Sequence, residues 1–114
     1  MTFKTVVAAD TLRVALCGEL DQHAAVGLRA SFALLVADVS IRHMEIDCRE
    51  VALMDSSGIG LLLCWYRALT ARQGQLSLHN VQPVVLRVLR ISGIHRIVDI
   101  SDELGGKSCT AKTI

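Results

Sequence analysis

Hydrophobic and polar residues alternate in two short runs at the start of the chain. Residues 3–8 and 12–17 are rich in strand-forming side chains, and Ala-Asp-Thr at 9–11 separates them. Alternation with a period of two is typical of a strand with one buried face. We therefore predict an N-terminal hairpin, whose second strand is ended by the segment Gly-Glu-Leu-Asp at 18–21.

Apolar residues then recur every three or four positions, which predicts helices. The first helix is expected over residues 22–38, with Asp21 as its N-cap. Its apolar stripe consists of Ala25, Leu28, Phe32, Leu35 and Val39. A second helix is expected over residues 57–73, ended by Gly74 at the C′ position. A third is expected over residues 84–91, introduced by Pro83 and closed by Gly93.

Three further strands are predicted between these helices, over residues 41–48, 75–79 and 97–100. In the first of them Glu45 and Asp47 alternate with apolar residues, so we expect one face of the sheet to be incompletely covered. This order of elements predicts one α/β domain with a mixed, mostly parallel sheet. We place the domain at residues 1–104 and expect the polar segment 105–114 to be a flexible tail.

Composition narrows the range of functions. The chain of 114 residues is 52% hydrophobic and only 4% aromatic, so its core must be aliphatic. A net charge of +1 without a basic run argues against nucleic-acid binding. No apolar run is long enough to span a membrane and the first residues lack the apolar core of a signal peptide. We therefore expect a cytoplasmic protein that does not bind membranes.

Cysteines and histidines do not indicate a metal site. None of the four cysteines has the CxxC spacing of zinc sites: Cys17, Cys48, Cys64 and Cys109. The first three lie in apolar segments, so buried reduced thiols are expected. The histidines lack a paired ligand spacing: His23, His43, His79 and His95. The sequence therefore predicts neither a metal nor another cofactor.

The segment Met-Asp-Ser-Ser-Gly-Ile-Gly at 54–60 lies where a strand passes into a helix. The start of a helix presents unpaired N–H groups and the positive end of the helix dipole, so it can hold an anion or a phosphorylated serine. We expect Ser57 to be the N-cap and Asp55 to orient the Ser56 hydroxyl and assist the cap. Gly58 and Gly60 are expected to leave the turn bare, so that another protein can approach closely.

The second helix has two apolar sides on a wheel of 100° per residue. The wider side is expected to face the core and contains Ile59, Leu62, Leu63, Tyr66 and Leu69. Leu61 and Trp65 fall on a separate flank. That flank either packs against a neighbouring helix or forms a docking surface continuous with the serine turn, since tryptophan is enriched at interface hot spots.

Three segments resemble the STAS domain family, and within it the bacterial anti-sigma factor antagonists. They are Gly-Glu-Leu-Asp at 18–21, the run at 54–60, and Ile-Ser-Gly-Ile at 91–94 followed by Ile97. The resemblance extends over about residues 3–100. A serine hydrolase is disfavoured, because neither Ser56 nor Ser57 has the Gly-x-Ser-x-Gly spacing of a nucleophile elbow.

The resemblance implies a regulatory binding protein and not an enzyme. In that family the unphosphorylated antagonist binds an ATP-dependent anti-sigma factor serine kinase and thereby frees the sigma factor. Phosphorylation, here of Ser56, ends the binding, and a phosphatase of the PP2C type reverses it. The residues we assign to partner binding are Glu19, Asp21, Asp55, Ser57, Gly58, Gly60, Leu61 and Trp65.

Two questions stay open from the sequence. The chain is expected to be a monomer or a weak dimer. The alternative function is a STAS subunit of a transporter or signalling scaffold, in which the serine turn is an interaction surface without obligate phosphorylation.

Overall fold

The structure is a computed structural model that describes residues 1–101, and it confirms the predicted order of elements. The strands are β1 (Thr2–Ala8), β2 (Thr11–Leu20), β3 (His43–Met54), β4 (Gln75–His79) and β5 (Asp99–Ser101). The helices are α1 (Gln22–Ser31), α2 (Ala33–Ala37), α3 (Ser56–Thr70) and α4 (Pro83–Ser92), with a 3-10 turn at Ile94–Arg96. The predicted tail at 105–114 and Cys109 lie outside the described residues.

The strands follow one another across the sheet in chain order. The five-stranded sheet has the order β1-β2-β3-β4-β5; β1 is antiparallel to β2 and the remaining pairs are parallel. Each crossover therefore moves one strand in the same direction, and right-handed crossovers bring α1, α3 and α4 to the same face of the sheet. The predicted incomplete cover is confirmed on the opposite face, where Arg13, Ala15 and Cys17 are exposed and Glu45 and Asp47 are half-buried.

The core is aliphatic apart from two stacked aromatic rings. Phe32 and Trp65 are buried with their ring centroids 5.2 Å apart and an angle of 27° between the planes. Phe3 and Phe32 make a T-shaped contact with a centroid distance of 4.9 Å. These rings join β1, the end of α1 and the middle of α3.

The prediction that Leu61 and Trp65 form a docking surface is wrong, because their side chains are only 0% and 2% exposed. The alternative, packing against a neighbouring helix of the domain, is confirmed by the Phe32–Trp65 stack. The physical reason is that α1 covers one side of α3 while the sheet covers another. Helix α3 therefore buries a wider arc than contact with a sheet alone requires.

The first helix is not continuous as predicted. It is interrupted at Phe32, which has φ −99° and ψ 2°, and it resumes as the short α2. Val39 lies beyond α2 and is exposed, so the predicted apolar stripe ends at the half-buried Leu35.

The predicted end of the second strand at residue 18 is also wrong. Gly18 adopts φ +127°, next to shifts in the β2–β3 register, and the strand continues to Leu20. A bulge with a glycine in a positive-φ conformation bends a strand without ending it.

Gly74 does not have the role predicted from the helix-end pattern. The residue with positive φ after α3 is Gln73, and Gly74 donates a backbone hydrogen bond to Leu69. A Cβ at position 74 would overlap the carbonyl oxygen of Arg42. Glycine is therefore required by the close approach of two backbones. Gly93, in contrast, closes α4 with φ +83° as predicted.

The cysteines differ from the expectation of uniform burial. Cys48 is buried, and desolvation raises the pKa of its thiol to about 12, so it stays protonated. Cys64 is half-buried, whereas Cys17 is exposed on the uncovered face of the sheet. No two cysteines among residues 1–101 form a disulfide.

The start of α3 packs tightly on the ends of two strands at Gly58. A Cβ at this buried position would lie 2.8 Å from Cγ of both Leu20 and Met54 and 3.0 Å from the carbonyl oxygen of Leu20. Gly60, two residues further along, is exposed, and a Cβ added there would have no neighbouring atom within 4 Å. The expectation that both glycines keep the surface bare therefore holds for Gly60 and is wrong for Gly58.

Gly58→Ala and Gly60→Ala are a matched pair in one helix. We expect Gly58→Ala to destabilise the domain by about 1–3 kcal/mol, because the methyl group has no room. Gly60→Ala should stabilise it by about 0.5–1 kcal/mol, because alanine favours an exposed helical position. Urea unfolding followed by circular dichroism measures both changes. Equal effects of the two substitutions would contradict the assigned packing.

Trp65→Ala tests the aromatic contact. We expect a loss of about 3–5 kcal/mol in the free energy of unfolding, as for other large buried aromatic residues. Arg67→Ala, at an exposed position of the same helix, should change it by less than about 0.5 kcal/mol. Circular dichroism is the appropriate probe, since the variant lacks tryptophan fluorescence. A loss below about 1 kcal/mol for Trp65→Ala would show that the ring is not part of a tightly packed core.

Candidate functional site

The ends of β2 and β3 lie side by side at one edge of the sheet. Glu19 is in register with Leu53 and Leu20 with Met54. The backbone N–H of Asp55 donates to the carbonyl oxygen of Leu20 at 3.3 Å, which extends the contact past the end of β3. We call the group of Glu19, Asp21, Leu53, Asp55 and Ser56 the carboxyl edge.

Both helices that leave the carboxyl edge are capped by an aspartate. The Asp21 carboxylate accepts a hydrogen bond from Ala24 N at 2.9 Å, which confirms its predicted cap of α1. Oδ1 of Asp55 accepts from Ser57 N at 2.9 Å and from Gly58 N at 3.3 Å. Each carboxylate thus satisfies otherwise unpaired N–H groups and lies at the positive end of a helix dipole.

The prediction that Ser57 caps α3 is wrong. Asp55 has the extended conformation of an N-cap, with φ −111° and ψ −170°, and the helix begins at Ser56. Ser57 is therefore the second helical residue, and its backbone N–H is a donor to the cap. The pattern Asp-Ser-Ser contains two good capping types in succession, and the sequence alone did not distinguish between them.

Ser56 is the first residue of α3 and is exposed. Within residues 1–101 its hydroxyl has no hydrogen-bond partner, and Oδ1 of Asp55 bonds backbone N–H groups instead. The expectation that Asp55 orients this hydroxyl is therefore wrong for the structure as it stands. Among the described residues, Ser56 therefore presents an unpaired hydroxyl on an exposed side chain.

The residues assigned to partner binding fall into two groups. Glu19 and Gly60 are exposed, and Asp21, Asp55 and Ser57 are half-buried near Ser56. Gly58, Leu61 and Trp65 are buried and offer no surface to a partner. The first group alone can contribute contacts without a change in the fold.

Leu53 was missed by the sequence reasoning. It is 43% exposed at the carboxyl edge, next to Glu19 in the β2–β3 register. In β3 the buried positions change after Cys48 to Val51 and Met54, so the simple alternation that begins the strand does not reach this residue. The structure thus places an apolar side chain beside the carboxylates.

The described part of the chain contains no cluster of three histidine, cysteine or acidic side chains with the geometry to hold a metal ion. None of the helices within residues 1–101 has the length and apolar character needed to cross a membrane.

Comparison with known proteins agrees with this arrangement. The family model for the Mlab STAS domain matches residues 4–99. An anti-sigma F factor antagonist of Paenibacillus polymyxa is 32% identical over 91 residues, which is 80% of this chain and 78% of that protein.

Two solved structures of the anti-sigma factor antagonist SpoIIAA also match. The unphosphorylated form has a TM-score of 0.71 and 28% identity, and the match covers 89% of this chain and 88% of that one. The phosphorylated form, from Bacillus, has a TM-score of 0.71 and 29% identity, with coverage of 92% and 96%. The chain belongs to the STAS domain family, among the relatives of the anti-sigma factor antagonists.

Proposed function

We propose that this protein is an anti-sigma factor antagonist. In its unphosphorylated form it binds, through the carboxyl edge, an anti-sigma factor that is also an ATP-dependent serine kinase, and so frees a sigma factor. The kinase phosphorylates Ser56, which ends the binding, and a PP2C-type phosphatase restores the hydroxyl. This cycle would take place in the cytoplasm, and the protein itself performs no catalysis.

The observation that carries the proposal is the position of Ser56. It is exposed at the first residue of α3, beside a carboxylate that already caps the helix. A kinase can therefore reach the hydroxyl without unfolding the domain. The similarity to an anti-sigma F factor antagonist supports the role. One of the matched structures is of SpoIIAA in its phosphorylated form.

The fold should tolerate phosphate at this position. A phosphoserine carries about −1.5 to −2 charge, which is favourable at the positive end of a helix. The phosphate would extend from an exposed side chain into solvent and displaces no packed residue. We therefore expect the switch to act on the surface and not on the core.

The same charge opposes binding of the partner. Glu19, Asp21 and Asp55 already place carboxylates around Ser56. Closing an interface over a further dianion requires its desolvation, and like charges at the contact cost several kcal/mol. Each 1.4 kcal/mol corresponds to about a tenfold loss of affinity. Local charge is therefore sufficient to release the partner.

The proposed contact surface consists of the accessible side chains of the carboxyl edge. Glu19 and Leu53 provide an exposed charged and an exposed apolar side chain beside the serine. Asp21 and Asp55 hold the two helix starts in place and present their remaining oxygens to a partner. The proposed contact surface does not include the buried residues of α3, which pack beneath the carboxyl edge: Gly58, Leu61 and Trp65.

Variants of the two serines test the site. Incubation with candidate anti-sigma kinases and ATP should add one phosphate to the wild-type protein, located at Ser56 by mass spectrometry. Ser57→Ala is the matched control and should still be phosphorylated, whereas Ser56→Ala should not. Phosphate on Ser57 and not on Ser56 would contradict the assignment of the site. Phosphate on neither serine with every candidate kinase would contradict the proposal and favour the transporter or scaffold subunit.

Binding to the kinase measures the switch. By titration calorimetry, Ser56→Ala should bind about as tightly as wild type, because the hydroxyl is small and unpaired. Ser56→Glu should bind at least about tenfold more weakly, because it places a charge in the interface. Circular dichroism should show the same melting behaviour for all three proteins to within a few degrees. Equal affinity of Ser56→Glu and wild type would exclude the charge-based switch.

A further inference from the structure

Among residues 1–101, β1 is an edge strand that pairs with β2 alone, so its outer side has unpaired backbone groups there. The two-residue loop Ala9-Asp10, with Ala9 at φ +57°, joins β1 to β2, and Ala8 is paired with Thr11. In such a hairpin the closing pair exchanges both backbone hydrogen bonds, and every second pair does so after it. Residues 2, 4, 6 and 8 therefore bond to β2, and the N–H and C=O groups of Phe3, Thr5 and Val7 point outward.

This edge lacks most of the features that keep strands from pairing. All seven residues of β1 are exposed, and the register with β2 is continuous from Thr2 to Ala8. The strand has no proline, and Lys4 is its one charged residue. Exposed edges are usually interrupted by bulges, prolines or several charges. At the opposite edge, within the described residues, β5 is only three residues long.

We propose that β1 pairs with β1 of a second copy of this chain, antiparallel and about a two-fold axis at Thr5. In this register Thr5 is opposite Thr5, and Phe3 is opposite Val7 of the second copy. The outward N–H and C=O groups of both strands are then all paired with one another. The two sheets become one continuous sheet. This proposal does not depend on the Ser56 switch.

The side chains favour the same register. Phe3 and Val7 are in register with the buried Leu16 and Leu12, so they lie on the helix-covered side of the sheet. They are 41% and 51% exposed and would cover each other across the axis. Phe3 already contacts Phe32, so the core would extend into the interface. On the other face, Lys4 is opposite the exposed Val6 of the second copy.

Other registers are less favourable. A shift of two residues in one direction places Lys4 opposite Lys4 and leaves Val7 opposite Met1, which lies outside β1. The shift in the other direction leaves the outward groups of Phe3 unpaired. A shift of one residue places outward groups of one strand opposite inward groups of the other, so that the ladder does not form. The Thr5-centred register alone avoids all three penalties.

One strand per copy makes a small interface. It is well below the roughly 800 Å² per partner of a stable complex. We therefore expect a weak dimer whose population rises with concentration over about 10 μM to 1 mM. Sedimentation velocity over this range gives the dissociation constant.

Two charge variants of Val6 test the register. Val6→Glu places a carboxylate opposite Lys4 of the second copy, and Val6→Lys places a second ammonium there. Each dimer contains the contact twice, so we expect the dissociation constant to fall for Val6→Glu and to rise for Val6→Lys, by roughly two- to thirtyfold. High salt should reduce both shifts. A monomeric wild type at about 1 mM, or shifts in the same direction for both variants, would overturn the proposal.

Thr5→Pro tests the backbone ladder. Proline removes the outward N–H at the axis but no hydrogen bond to β2, and an edge strand tolerates proline at such a position. The variant should remain folded by circular dichroism and sediment as a monomer at every concentration. A folded Thr5→Pro protein that dimerises like wild type would exclude β1 pairing. If the variant does not fold, the two Val6 variants decide the question.

Discussion

The position of Ser56 depends on how closely the start of α3 approaches the ends of β2 and β3. At Gly58 the helix lies against Leu20 and Met54 with no space for a side chain. The same region carries the hydrogen bond from Asp55 N to Leu20 O and the two bonds that Asp55 accepts from the first turn. Packing therefore fixes the helix start, and the cap fixes its first turn. The exposed Ser56 is therefore presented on a helix start that is held both by packing and by its cap.

Much of this arrangement was predictable, because the residues that face the core are apolar and their spacing along the chain differs between strands and helices. The strand and helix order, the Asp21 cap, the Gly93 helix end and the partly uncovered face all follow from local patterns. Trp65 was assigned wrongly for a physical reason. The helical-wheel prediction assumed that only the sheet covers α3. In the structure α3 is also covered by α1, through the contact of Trp65 with Phe32.

The remaining differences come from contacts between residues distant in sequence. The backbone of Arg42 decides why position 74 must be glycine, and neighbouring strands decide why Gly58 must be one. Which residue caps α3 depends on where the chain leaves β3. Asp55 and Ser57 are both of a type that caps helices well, so the sequence alone does not determine where the helix begins. Leu53 is exposed because burial in β3 changes phase along its twelve residues.

The single tryptophan of the chain has a consequence for how the protein can be observed. Its indole ring is buried and stacked on Phe32 at the junction of α1 and α3. Intrinsic fluorescence therefore reports on that junction and on the integrity of the core. A shift of the emission to longer wavelength would indicate that the ring has become exposed to water, as it would if α1 separated from α3.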